Sequence, residues 1–332
     1  MTARGVSLFA HLSEACATLP PAHAGNMVRV LGRLAEAAVA IQQELAHAPL
    51  HDRVGETGAR NQTGDKVKKL DVWGHDAVAA ALDASGGCAA LISEEAKEPV
   101  EFPAPQGVIV CCDPVDGSSN LDVGGAVGTI FGVRPSRGTT PAGRAALGSG
   151  REQIAAGYVL YGPTTLFVYT IGGGVHGFTL DRNKGEFFLT HADLRVPKRG
   201  KIYEVNEGNF STWHPGQRKF VEYLRTPDKA SGRPYSLRYS AAMVADVHRV
   251  LHDGGIFMYP ADMSDPATPK PKLRLLYEVA PFGFIAEQAG GRASTGAEPV
   301  LDIVARDYHE RAAILIGSPD DVGLAEQFYA RG

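Results

Sequence analysis

The sequence predicts a mixed α/β fold with mixed sheets covered by helices. Residues 27–46 (MVRVLGRLAEAAVAIQQELA) place Met27, Leu31, Leu34, Ala38, Ile41 and Leu45 three or four apart, which is one face of a helix. Between 154 and 192 short β-like runs alternate with turn residues, as antiparallel strands do. Beyond 198 helix and strand patterns alternate, and that alternation calls for sheets with helices packed on them.

In chain order, PLHDRVGETGARNQTG (49–64) reads as a polar, Gly-rich loop, and Asp65 opens a second helix to about Leu82. CAALI (88–92) and VIVCC (108–112) are strands, and 134–151, rich in Gly, Pro and Arg, is expected to be a mobile surface loop. GYVLYG, TTLFVYTIGGGVHGFTL and GEFFL follow as strands, and KRGKIYEVNEGN (198–209) restarts the chain with another. SAAMVADVHRVLHDGG is a helix with a Gly stop, and IFMYP is a strand. KLRLLYEVAPFGFIAEQAGG (272–291) reads as one helix carrying Pro281, and AAILIGS as a strand. The last helix has Ser318 at its N-cap and Pro319 at its first position. A boundary near 197 divides the chain into an N-terminal domain (1–197) and a C-terminal α/β domain (198–332).

At 332 residues the chain can bury a large core. A net charge of -4 argues against a general nucleic-acid or membrane-surface binder, though not against binding one small anion. Cys16, Cys88, Cys111 and Cys112 are too few for a disulfide scaffold, lack zinc spacing and read as small buried thiols. VSLFA near the start is broken by His11 and Glu14, so it is no secretory segment, and no run is long enough to span a bilayer. A cytoplasmic protein is expected. No repeat or low-complexity tract occurs.

The functional signal lies in the acids. On a helix starting at Asp65, Asp71 falls at roughly 240°, inside the arc occupied by Val67, Leu70, Val78, Ala81 and Leu82. A carboxylate on that face is either half of a buried ion pair or a functional group. Glu94 and Glu95 follow the strand CAALI; Asp113 and Asp116 follow VIVCC. Ligands of open α/β sheets collect beyond the carboxyl ends of strands. Four carboxylates there repel one another unless a cation joins them, and an all-oxygen set suits magnesium or manganese. In VIVCCDPVDGSSNLD (108–122) Pro114 bends the strand end, so that both Asp side chains can converge on metal, with the Val115 carbonyl between them. Gly117 permits close backbone approach, and Ser118, Ser119 and the local amides can form an anion nest. Metal beside an anion nest is equipment for phosphoryl transfer.

D-P-x-D-G-S-S-N resembles the signature of the lithium-sensitive, metal-dependent sugar phosphatases, which include inositol monophosphatases and fructose-1,6-bisphosphatases. TGDKVKKLDV (63–72), ISEEAKE (92–98), GTIFGV (128–133), AAGYVLYG (155–162), KRGKIYEVNEGN, MVADVHR (243–249), GGIFMYPA (254–261), KLRLLYE (272–278) and GSPDDV (317–322) narrow the resemblance to class I fructose-1,6-bisphosphatase, from about residue 26 to the C-terminus.

That resemblance implies a layered α-β-α-β-α fold with two mixed sheets, usually assembled as a homotetramer. It implies that Glu94, Glu95, Asp113, the Val115 carbonyl, Asp116 and Glu278 hold Mg2+, two or more ions per subunit, with Mn2+ able to substitute. It implies that Asp71 and Glu95 activate water and that Asp65 with Arg274 organises the nearby loop. Asp116, Gly117, Ser118 and Ser119 would cradle the 1-phosphate. Asn206, Tyr239, Tyr259 and Lys272 would bind the sugar and its 6-phosphate, with Arg238 entering from a neighbouring subunit. The reaction implied is release of the 1-phosphate of fructose 1,6-bisphosphate, in gluconeogenesis or the Calvin cycle. Action on sedoheptulose 1,7-bisphosphate stays open, since the sugars differ by one hydroxymethylene. A non-catalytic sugar-phosphate binder is the remote alternative, and it predicts damage among acids that are all present.

The chain departs from the family pattern at three places. Asn209 stands where animal members have Tyr. Gly107-Val108 replaces a Lys-Tyr pair of the AMP site, and Pro135 replaces an Arg, with Arg134 one place earlier. AMP inhibition by the usual contacts is therefore not expected. The 134–151 stretch has no Cys, so neither is the thiol switch of chloroplast enzymes.

Overall fold

Two sheets frame the molecule, which a computed structural model describes for residues 5–60, 66–137 and 141–332. The first elements are α1 (Leu8–Cys16), α2 (Pro21–His47), β1 (Glu56–Arg60), β2 (Lys66–Lys68) and α3 (Lys69–Ser85). An eight-stranded sheet follows, made of β3 (Cys88–Ser93), β4 (Val100–Glu101), β5 (Val108–Asp116), β6 (Val127–Pro135), β7 (Ala155–Tyr161), β8 (Thr165–Thr170), β9 (His176–Asp181) and β10 (Glu186–His191). Its order is β10-β9-β8-β7-β6-β5-β3-β4, and only β3 and β5 pair in parallel.

The chain continues with β11 (Ile202–Glu204), α4 (Pro215–Arg225), β12 (Ser236–Leu237), α5 (Met243–Asp253), β13 (Ile256–Tyr259), β14 (Leu273–Arg274), α6 (Ala280–Gln288), β15 (Arg292–Ser294), β16 (Arg311–Ala312), β17 (Ile314–Gly317) and α7 (Pro319–Ala330). The second sheet runs β12-β11-β13-β17-β15 and is mixed, parallel at β12-β11-β13 and antiparallel beyond.

Alternation of side chains sorts each strand's residues into two cores. On the eight-stranded sheet Val110, Cys112, Phe131 and Val133 join α1, α2 and α3 in one buried cluster. Ile109, Cys111, Ile130, Ala156 and Tyr158 face the other way, onto α5 and α6 and through them onto Phe257, Ile314 and Ile316 of the second sheet. Tyr203, Ile256, Met258 and Leu315 close the outer face against α4 and α7. The layers are thus helix, sheet, helix, sheet, helix. All four cysteines are buried and free.

Several expectations need correction. Residues 56–60 form a strand, and the helix expected from Asp65 begins only at Lys69. Lys68 is held extended by pairing with Glu56, and the Asp71 carboxylate accepts its amide, fixing the helix start. Asp65 itself lies outside the described residues. VIVCC is longer than expected: β5 runs on to Asp116, with an irregular register between Asp113 and Asp116.

The stretch 134–151 is no simple surface loop. Ala142, Ala145 and Ala146 are buried, and the Glu101 carboxylate accepts the Ala142 and Gly143 amides. The single helix expected over 272–291 is instead strand β14, one wide turn (Leu275–Val279) and α6, with Pro281 in its first turn, where no amide is needed. The Ser318 hydroxyl caps nothing; it donates to the Pro197 carbonyl and accepts the Gly255 amide.

Candidate active site

The parallel pair β3 and β5 delivers two acid pairs to one side. Glu94 and Glu95 follow β3 directly, and the Glu94 amide donates to the Cys112 carbonyl of β5. Asp113 and Asp116 lie in the last residues of β5. Glu278 reaches the same place from the turn before α6, where its carboxylate accepts the Arg274 amide.

Asp113, Asp116 and Glu278 are buried, and each presents an oxygen within 4.8 Å of the others. Burial first, and then Glu94 and the other acids, pushes Asp113 and Glu278 well above the usual carboxylate range. Asp116 is pushed up to about 7 by burial, although the Val244 and Met243 amides at the start of α5 pull it down. Asp113 also accepts the Val115 amide at 3.0 Å.

A buried, mutually repelling, all-oxygen cluster is satisfied by a hard divalent cation, and these residues fit one. Arg274, nearly fully buried, places Nη2 3.6 Å from Glu94 Oε1.

Asp71 enters from the first turn of α3. One oxygen accepts the Lys68 amide at 2.8 Å; the other is buried without a donor among the described residues. Its pKa is raised to about 7, chiefly by burial and also by the Glu94 charge, against the pull of the Lys68 amide and the Ser118 hydroxyl.

These groups line a cavity of about 400 Å³. Around it stand Asp71, Glu94, Glu95, Asp113, Val115, Asp116, Gly117, Ser118, Ser119, Asn206, Tyr239, Tyr259, Lys272 and Glu278. Gly117 adopts φ 78, and a Cβ there would lie 2.6 Å from Ala242 Cβ, so only glycine fits. Ser118–Val123 then forms a short 3-10 helix, and its Asp122 accepts from Lys68 Nζ at 2.5 Å. Asn206 Oδ1 accepts the Gly208 amide at 3.0 Å. Lys272 precedes β14 rather than opening a helix.

Arg238 does not line this cavity. It is exposed, and its guanidinium donates to the Leu237 carbonyl at 2.9 Å. A further cavity of about 410 Å³, lined by residues such as Leu45, Leu70, Tyr161 and Arg182, carries no carboxylate.

The sequence reading missed Asp246, which lines this cavity from α5. Its signal was available: it lies three residues after Met243 and four before Val250, both buried.

The family described as Fructose-1-6-bisphosphatase, N-terminal domain, matches residues 15–192, and its C-terminal domain counterpart matches 196–330. Proteins named fructose-1,6-bisphosphatase class 1 are similar over nearly the full length. That of Chlorobium chlorochromatii is 43% identical over 329 residues, 97% of each chain. That of Oleidesulfovibrio alaskensis is 44% identical over 323 residues, 95% of each chain. The crystal structure of Leishmania major fructose-1,6-bisphosphatase in holo form superposes with a TM-score of 0.90 at 34% identity, covering 98% of this chain and 99% of that one. On these matches the chain belongs to the class 1 fructose-1,6-bisphosphatase family.

Proposed function

We propose that this protein hydrolyses the 1-phosphate of D-fructose 1,6-bisphosphate, giving fructose 6-phosphate and phosphate, with magnesium as its cofactor. The carrying observation is one cavity that joins a buried acid cluster to Ser118, Ser119, Tyr239, Tyr259 and Lys272. A monophosphatase would need no second set of cationic and hydroxyl groups.

Glu94, Glu95, Asp113, the Val115 carbonyl, Asp116 and Glu278 would hold two or more Mg2+ ions, or Mn2+. The bound metal would polarise the phosphoryl oxygens and acidify a water. Asp71 and Glu95 would orient the attacking water, and one of them would take its proton as the water oxygen bonds to phosphorus; the bond from phosphorus to the C1 oxygen breaks, and that oxygen takes up a proton to become the C1 hydroxyl. The Gly117–Ser119 backbone and hydroxyls orient the 1-phosphate. Asn206, Tyr239, Tyr259 and Lys272 orient the sugar and the 6-phosphate. Arg274 would steady Glu94; the loop-organising role that the resemblance gives Asp65 falls on a residue outside the described ones. Arg238, exposed and aimed outside its own cavity, suits a 6-phosphate contact in a neighbouring subunit of a homotetramer.

The place in metabolism is gluconeogenesis or the Calvin cycle, in the cytoplasm. No helix among the described residues is long and apolar enough to cross a membrane. AMP control by the family's usual contacts is not expected. A Cβ on Gly107 would lie 2.6 Å from the Gly87 carbonyl oxygen, and Arg134 points into the core.

Phosphate release from fructose 1,6-bisphosphate and from sedoheptulose 1,7-bisphosphate, each with magnesium, with EDTA and with AMP, tests this reading. Magnesium-dependent, AMP-insensitive release from the fructose substrate is expected. Equal turnover of both sugars would make the enzyme a dual phosphatase, and no release from either would overturn the assignment.

A further inference from the structure

Two acids outside the metal cluster meet beside the cavity. Glu204 ends β11 and Asp246 lies in the first turn of α5, three residues before Arg249, which reaches the Glu204 carboxylate; both acids are fully buried and act on each other. Asp246 Oδ1 accepts the Ser240 amide at 2.8 Å, and Glu204 Oε1 lies 3.5 Å from Arg249 Nη1. The other two oxygens, Glu204 Oε2 and Asp246 Oδ2, accept no N–H or O–H from any other group.

An ionised carboxylate can only accept. Two buried acceptors in contact are stable only with a proton between them. Arg249 and Arg238 are the cations acting on Glu204, and Asp116 is a further acid interacting with Asp246. Burial and Asp246 together push the Glu204 carboxyl up to about 10, in the same direction.

The pair spans two substrate-facing segments. Asn206 follows Glu204 by two residues. Tyr239 to Ala241 precede α5, with Ala241 in the left-handed region at φ 64. This segment is pinned by the Ser240 amide on Asp246, by Asn120 Nδ2 on the Ser240 carbonyl at 2.9 Å and by the Arg238 amide on the Tyr203 carbonyl at 3.0 Å. Asp246 is the anchor on α5, and the shared proton ties that anchor to β11.

We propose that Glu204 and Asp246 share one proton, and that this bridge is a positioning device which sets Asn206 and the Tyr239–Ala241 segment against the sugar bisphosphate. The second half of the statement rests on the function proposed above.

The test uses the magnesium-saturated enzyme. Glu204→Gln replaces the shared proton with an amide N–H and should keep KM for fructose 1,6-bisphosphate near that of the unaltered enzyme. Glu204→Leu leaves Asp246 Oδ2 without a donor and should raise KM on the order of tenfold, with kcat little changed.

Infrared spectroscopy reads the proton directly: a protonated-carboxyl stretch in the unaltered protein should vanish in Glu204→Gln. An unchanged KM in Glu204→Leu, a Gln variant as impaired as the Leu variant, or no such band overturns the proposal. If the band behaves as expected but the unaltered enzyme releases no phosphate, the shared proton stands and the substrate assignment falls.

Discussion

One carboxylate oxygen of Asp71 accepts the Lys68 amide at 2.8 Å, while its other oxygen is buried without a donor among the described residues, and the residue lines the acid-lined cavity. The bonded oxygen fixes the side chain; the other is left to take a proton. With its pKa raised to about 7 by burial and Glu94, Asp71 is suited to accept a proton near neutral pH. Asp71→Asn keeps an acceptor for Lys68 but removes the base. It should lower kcat by about 10²–10⁴-fold with little change in KM or circular dichroism. Glu95→Gln should likewise remove most activity while the protein stays folded. Near-normal turnover in either variant would exclude that residue as the base.

Metal removal should change how stability depends on pH. Without a cation, burial and mutual repulsion raise the pKa values of Asp71, Asp113, Asp116 and Glu278. Between the ordinary carboxylate pKa and these raised values, the native state holds protons that the unfolded chain has released. Stability must then fall as pH rises through that window. The EDTA-treated protein should therefore melt at a higher temperature near pH 5 than near pH 8. Magnesium should raise Tm most at the higher pH, since it replaces those protons. Melting curves at both pH values, with and without magnesium, check this; a metal-free Tm that rises with pH would contradict it.

Lys272 and Tyr259 offer a test of how the two ends of the substrate are read. Both line the cavity, from the ends of different strands. Lys272→Met should raise KM for fructose 1,6-bisphosphate by roughly ten- to a hundredfold, the scale of one charge-assisted hydrogen bond of about 1.5–3 kcal/mol. The same change should leave KM for fructose 1-phosphate nearly unaltered. An equal effect on both substrates would place Lys272 elsewhere than at the 6-phosphate.

The parts of this site that sequence made legible share a physical cause. Glu94, Glu95, Asp113 and Asp116 interrupt or follow apolar strands, where ionised groups are costly, so their presence demanded a reason. Asp71 was visible through helical spacing, although its helix starts four residues later than expected. Asp246 obeys the same spacing yet was hidden inside a segment already explained as a helix. The hairpin of β1 and β2 left no trace, because ETGAR and KVK are short and polar and are held by pairing rather than by an apolar face. The break before α6 was invisible for the opposite reason: nearly every residue from Leu273 to Phe282 is buried, so no periodicity marks where one element ends.

Arg134 gives the last prediction. It lies on β6, 1% exposed, and none of its three guanidinium nitrogens has a hydrogen-bond partner among the described residues. Burial lowers its pKa, with Cys111 and Glu152 acting the other way, and Glu152 pairs with Arg137 at 2.5 Å. A buried cation without a bonded partner is a stability deficit, and an apolar side chain of similar length removes it. Arg134→Met should therefore stabilise the protein by about 1–4 kcal/mol, read as a higher urea midpoint at unchanged slope. Activity should be unaffected, since Arg134 lines no wall of the catalytic cavity. A lower midpoint would show that the guanidinium has a partner in solution and that the strand depends on it.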